Sequence, residues 1–187
     1  INEYIFHKLL QHENLPYLRY SFLPLSINGK YLGIYAMEEH FSKTVVENSG
    51  FREGPIIKLS EQDLRNEYLL MRNIDSQSNF SGISIDNSDI SVFNINKLKG
   101  NSSQLSQYQL AYNLLKKYLN KKISTEDAFD VKRMARYFAI SDLLQSTKSN
   151  SWRDMRFYFD PISSRLVPIG YDASPPIKSN SRLLSID

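Results

Sequence analysis

Phe22-Leu-Pro-Leu-Ser-Ile-Asn-Gly-Lys-Tyr-Leu-Gly-Ile-Tyr-Ala-Met-Glu-Glu-His-Phe41 reads as two strands joined by Asn28-Gly29, with a carboxylate, Glu39, at the end of the second. Asn-Gly is the strongest short-range hairpin signal, because both central positions of a type I′ turn need positive φ. On the second arm the period-two pattern puts Tyr31, Gly33, Tyr35 and Met37 on one face and Leu32, Ile34, Ala36 and Glu38 on the other. A hairpin alone specifies no chemistry, so the rest of the chain must supply it.

The 187 residues, 41% apolar and 12% aromatic with 23% charged, describe one globular domain with a sizeable core. A net charge of +3, from 23 basic and 20 acidic residues, gives no basic field, so nucleic acid is not an expected partner. With no cysteine, disulfides and thiolate metal sites are excluded. No apolar run reaches the roughly 20 residues that span a bilayer. The chain opens on Ile1 without a signal-like segment, and the expectation is a piece truncated on its N-terminal side.

Helical spacing of Tyr4, Ile5 and Leu9 predicts a helix from Asn2 to Gln11, stopped by Leu15-Pro16. A helical turn over His40 to Asn48, a short strand Pro55-Ile-Ile-Lys-Leu59 and a helix from Glu61 to Ile74 follow. Residues 75–103, rich in Ser, Asn, Asp and Gly, read as a variable polar insertion holding one strand, either Ile83 to Ile85 or Ile90 to Phe93. Two long amphipathic helices come next, Gln104 to Asn120 and Asp130 to Gln145. The second has Asp130 as N-cap and Val131, Met134, Tyr137, Phe138, Ile140, Leu143 and Leu144 facing inward. Arg156 to Phe159 and Leu166 to Gly170 pair through an Asp160-Pro161 turn.

Asp172 follows the last strand, where rigid backbone can hold its oxygens toward a hard cation such as Mg²⁺, although a lone Asp there also serves as a turn former. Asp154 precedes the partner strand, so the two carboxylates can share one ion. Lys58 is either a phosphate contact or a plain strand lysine, and Trp152 either stacks on a base or anchors its loop. His7, His12 and His40 lie in separate elements without zinc spacing and are read as surface histidines. Lys132, Arg133 and Arg136 read as a solvated helix face, and no Gly-rich phosphate loop is present.

The spelling Ile27-Asn-Gly-Lys-Tyr-Leu-Gly-Ile-Tyr-Ala-Met-Glu-Glu39 resembles the "iNGxyxGlYxlxE" signature of the CotH family, kinase-like proteins first known from bacterial spore coats. The C-terminal hairpin is similar to that family's "HNxYxYxDPxTGKxxxIPxDxD", through Tyr158, Asp160-Pro161, Pro168 and Asp172, and Arg136 to Leu144 resembles its "yfaxxxll" helix. The resemblance implies an α+β, atypical protein-kinase-like fold of β-hairpins packed with several helices. It further implies ATP held with Mg²⁺ or Mn²⁺ and phosphate passed to serine on a protein substrate, in a spore-coat, cell-surface or secreted setting. By residue, it makes Asp172 a metal ligand, Asp154 a metal and catalytic position where relatives carry Asn, Glu39 and Lys58 contacts of the cofactor, and Trp152 their neighbour. Departures are equally specific. Lys148, Ser149 and Asn150 stand where relatives have an acid, and Ser174 replaces the second acid of "DxD". A catalytically inactive surface, structural or adhesion protein on the same fold is therefore the alternative expectation.

Overall fold

The structure is a computed structural model, and it describes residues 1–60, 62–63, 65–66, 69–70 and 88–173. Its elements are α1 (Asn2–His12), β1 (Tyr20–Ile27), β2 (Lys30–Glu38), α2 (Lys43–Asn48), β3 (Ile56–Leu59), β4 (Ile90–Val92), α3 (Ile95–Lys99), α4 (Ser102–Leu119), α5 (Thr125–Ala128), α6 (Val131–Leu143), β5 (Arg156–Asp160) and β6 (Arg165–Ile169). A 3₁₀ turn, Thr147–Asn150, precedes β5. The fold is α+β, with two antiparallel sheets: the β1–β2 ribbon and a four-stranded sheet in the order β4-β3-β5-β6.

Local chemistry accounts for most boundaries. Asn28 and Gly29 take φ of 50° and 77°, the left-handed pair that a two-residue hairpin needs. The Asp130 side chain accepts from the Arg133 amide and caps α6, while Asn101 does the same for α4 through the Gln104 amide. Ser124 and Asp127 close a reciprocal capping box on α5. Of the expected helix over Glu61 to Ile74, the described residues are helical and the remainder lies outside them. Ile90–Val92 forms the edge strand against β3, whereas positions 83–85 lie outside the described residues.

β5 is buried along its whole length, which makes the sheet a partition between two apolar layers. Phe157, Phe159, Ile57, Leu59 and Leu166 face a layer built with Phe6, Leu10, Leu115, Phe129 and Tyr137. Ile56, Tyr158, Val167 and Ile169 face Leu18, Phe41, Val45 and Val46 on the other side. Three expectations need correction. Leu143 is 74% exposed and Val131 is exposed too, because α6 drifts off the core at both ends. His7 is buried at 2% exposure rather than on the surface, since α1 lies flat against the end of β6. In the ribbon, the register slips between Leu25↔Gly33 and Ser26↔Tyr31, leaving Leu32 as a bulge. Beyond it Tyr31 shares the face of Ile34 and Ala36, not that of Tyr35 and Met37.

Gly170 sets how closely α1 approaches. A Cβ there would lie 2.3 Å from Leu10 Cδ1 and 2.7 Å from Phe6 Cε1. Only a residue without a side chain lets α1 seat on the strand end that leads into Tyr171 and Asp172.

Candidate functional site

Side chains alternate across a strand, so Lys58 sits on the sheet face opposite to Ile57 and Leu59. The register Ile57↔Phe157 carries one step further to set Lys58 beside Arg156 on that same face. Two cations on neighbouring strands repel unless an anion lies near them. Both line a cavity of about 280 Å³ whose other walls are Glu38, Glu39, His40 and Phe41 from the foot of the ribbon, with Phe93 and Tyr171. The Lys58 ammonium lies 5.4 Å from the Phe93 ring centre, and the Arg156 guanidinium 4.6 Å from that of Tyr171. Arg156 is almost fully buried, and its Nη1 donates to the carbonyls of Arg153 and Met155, which fixes the guanidinium plane.

Glu39 therefore reaches this cavity together with Lys58, but its carboxylate is committed to the hairpin. It accepts from Arg19 Nη2 at 2.8 Å, from Arg19 Nε at 3.1 Å and from the Arg19 amide at 3.3 Å. That fork clamps the entry of β1 to the exit of β2. Asp172 adopts φ of 50°, a left-handed conformation that Asp tolerates better than most side chains, and it follows Tyr171 directly. Its partner is Lys148, at 2.5 Å, with the two side chains 44% and 22% exposed for lysine and aspartate.

Asp154 is not presented to this cavity. Its side chain is 8% exposed and both oxygens are taken, Oδ1 by Arg153 Nε and Oδ2 by Arg153 Nη2 and Ser151 Oγ. It holds the loop before β5 in shape. Trp152 packs on Tyr118 and Phe157, with ring centres 6.4 Å and 6.0 Å away, so its ring lies against the aromatic core. Beneath Lys148, Ser141, Ser146 and Ser149 form a buried hydroxyl network, and Ser146 Oγ donates to the Ala173 carbonyl at 3.2 Å. The 3₁₀ turn and the Asp172 segment are thereby tied together.

A second polar cluster shares Glu38 with the cavity wall. Carboxylate oxygens of Glu3 and Glu38 and a ring nitrogen of His7 lie within 4.8 Å of one another. Burial, Glu3 and Asp172 push the Glu38 carboxyl above its ordinary range, against a hydrogen bond from Tyr20 that acts the other way. Burial holds His7 down to about 3.

Sequence reasoning missed Arg156, Lys148 as a partner of Asp172, and the Glu3–His7–Glu38 cluster. An arginine opening an otherwise apolar strand was the available sign of the first. The other two depend on contacts between segments far apart in the chain. Among the described residues no helix is long and apolar enough to cross a membrane.

Residues 1–173 match the family model described as CotH kinase protein. No curated protein matches the chain. The match spans almost the whole sequence, and the chain belongs to that family.

Proposed function

We propose that this member of the CotH kinase protein family binds ATP with Mg²⁺ or Mn²⁺ in the cavity at the foot of the ribbon and passes phosphate to a serine of a protein substrate. The observation that supports it most is the side-by-side placement of Lys58 and Arg156 on the wall of that cavity, beside Tyr171 and ahead of Asp172. Paired cations held by rigid strands suit a polyphosphate, and an aromatic wall suits a base.

The carboxylates fit a divalent ion unequally. Asp172 fits, because its pair with Lys148 is solvent-accessible, and such a pair contributes at most about 1 kcal/mol. Asp172 would hold such an ion in place of the Lys148 ammonium. Asp154 does not fit, because Arg153 and Ser151 already occupy both its oxygens in a nearly closed setting. A divalent ion bound at Asp172 supplies neutralisation of the phosphate charge. Lys58 and Arg156 would hold the phosphate chain from the sheet side of the cavity, with Tyr171 and Phe93 as its aromatic walls. Lys148, freed from Asp172, remains near as a further cation for the phosphates.

The second reading, a member that binds nucleotide without transferring phosphate and acts as a surface or structural protein, has its own observation. By the resemblance, Lys148, Ser149 and Asn150 stand around the point where relatives carry an acid, and Lys148 pairs with Asp172. Incubating the full-length protein with γ-labelled ATP, Mn²⁺ and a serine-rich polypeptide separates the readings. Label on serine supports transfer. A melting temperature raised by ATP without label supports the second reading, and neither effect overturns both.

A further inference from the structure

We propose a cation site outside the nucleotide cavity, formed by the carboxylates of Glu3 and Glu38 over a floor of His7 and Tyr20, that takes a hard divalent ion such as Ca²⁺, Mn²⁺ or Mg²⁺. Glu3 enters from the first turn of α1 and Glu38 from the last residue of β2, and their oxygens come within 4.8 Å of each other and of the His7 ring. Among the described residues neither carboxylate has a cationic partner. Two carboxylates this close repel, and either a proton or a cation must settle between them.

His7 does not supply that charge. Its Nδ1 accepts the Leu18 amide at 3.0 Å, so the proton of the neutral ring sits on Nε2. The same tautomer excludes His7 as a direct ligand, since a ligating nitrogen needs its lone pair. Its Nε2 is buried without a hydrogen-bond partner, and the ring of Tyr20, whose hydroxyl interacts with the Glu38 carboxyl, stacks on His7 at 5.2 Å. Both are donors, and both belong to the floor under the acids. That is the arrangement of outer-shell donors that orient ligating carboxylates. The Glu38 side is solvent-accessible, so an ion can enter and keep several waters, as Mg²⁺ and Ca²⁺ do.

The site is independent of phosphoryl transfer, although Glu38 also borders the nucleotide cavity and feels Asp172. An ion there ties α1 to the foot of the ribbon. It would also relieve the repulsion that Glu38 imposes on Asp172.

Tb³⁺ luminescence excited through tyrosine tests this on the full-length protein without nucleotide, because Tyr20 lies beside the site. The expected result is saturable emission, displaced by Ca²⁺, with affinity at least about tenfold weaker in Glu3→Gln and in Glu38→Gln and reduced far less in Asp172→Asn, since the Asp172 charge acts on Glu38 only from a distance. A rise in melting temperature with Ca²⁺ that disappears in the same two variants is the second readout. Absence of emission from wild type overturns the proposal. So does emission that survives both glutamine variants, or that is lost only in Asp172→Asn, which would assign the ion to the nucleotide cavity instead.

Discussion

Asp154 and Asp172 look equivalent as letters, each an acid beside a strand of the same hairpin, yet their surroundings assign them opposite roles. Asp154 is a buried acceptor for Arg153 and Ser151, so Asp154→Ala leaves donors without their acceptor. Urea denaturation should show a loss of about 1–3 kcal/mol with ATP affinity unchanged. Asp172→Ala should do the reverse, costing little stability and removing the part of the ATP affinity that depends on divalent ion. A second residue-scale expectation concerns His7. Burial holds its folded pKa down to about 3, below the ordinary value of 6.5, so between those values the unfolded chain binds a proton that the folded chain refuses. Stability from this group is complete above the upper value and is lost as pH falls through the window, by up to about 1.4 kcal/mol per pH unit. Comparing unfolding free energies of wild type and His7→Gln in the upper half of that window, above the ordinary carboxylate range, should show the flatter slope in the variant. Neither role was legible from sequence. A neutral histidine on an amphipathic helix is spelled like a surface one, and Lys148 meets Asp172 only because a 3₁₀ turn folds back under the strand end.

At the scale of elements much more was legible, because the signals are local. Asn28-Gly29 specified its turn, Asp130 its cap, and the Asp160-Pro161 turn between two apolar runs the C-terminal hairpin. The Leu32 bulge was not legible, since nothing in Tyr31-Leu-Gly33 distinguishes a slipped ladder from a regular one. The ribbon forms its own sheet, with Ile34 at 72% exposure and Tyr31 and Met37 also open, so its turn carries much of its stability. A Cβ at Gly29 meets nothing within 4 Å, and Gly29→Ala therefore costs only the left-handed backbone, about 1–2 kcal/mol. Amide exchange should accelerate in β1 and β2 and remain unchanged in β3, β5 and β6. Gly170→Ala is the contrasting case, an overpacking of α1 against β6 that should cost about 1–3 kcal/mol globally. Because Tyr171 and Asp172 follow at once, the same change should weaken ATP binding.

For the whole molecule, the claim is convergence. The ribbon foot, the interior strand β3 and the end of β6 are distant in the chain, and the four-stranded sheet with α1 wedged against it brings them around one cavity. The α+β class and the order of the hairpins were readable because each hairpin announces itself. The cavity's working wall was not, because Lys58 and Arg156 become neighbours only through a register between strands about a hundred residues apart. Calorimetric titration of the full-length protein with ATP in the presence of Mn²⁺, comparing wild type with Lys58→Met, tests this most directly. Wild type should bind measurably, and the variant should bind at least about tenfold more weakly for want of one charge-assisted contact to phosphate. Equal affinities in the two proteins would contradict the claim.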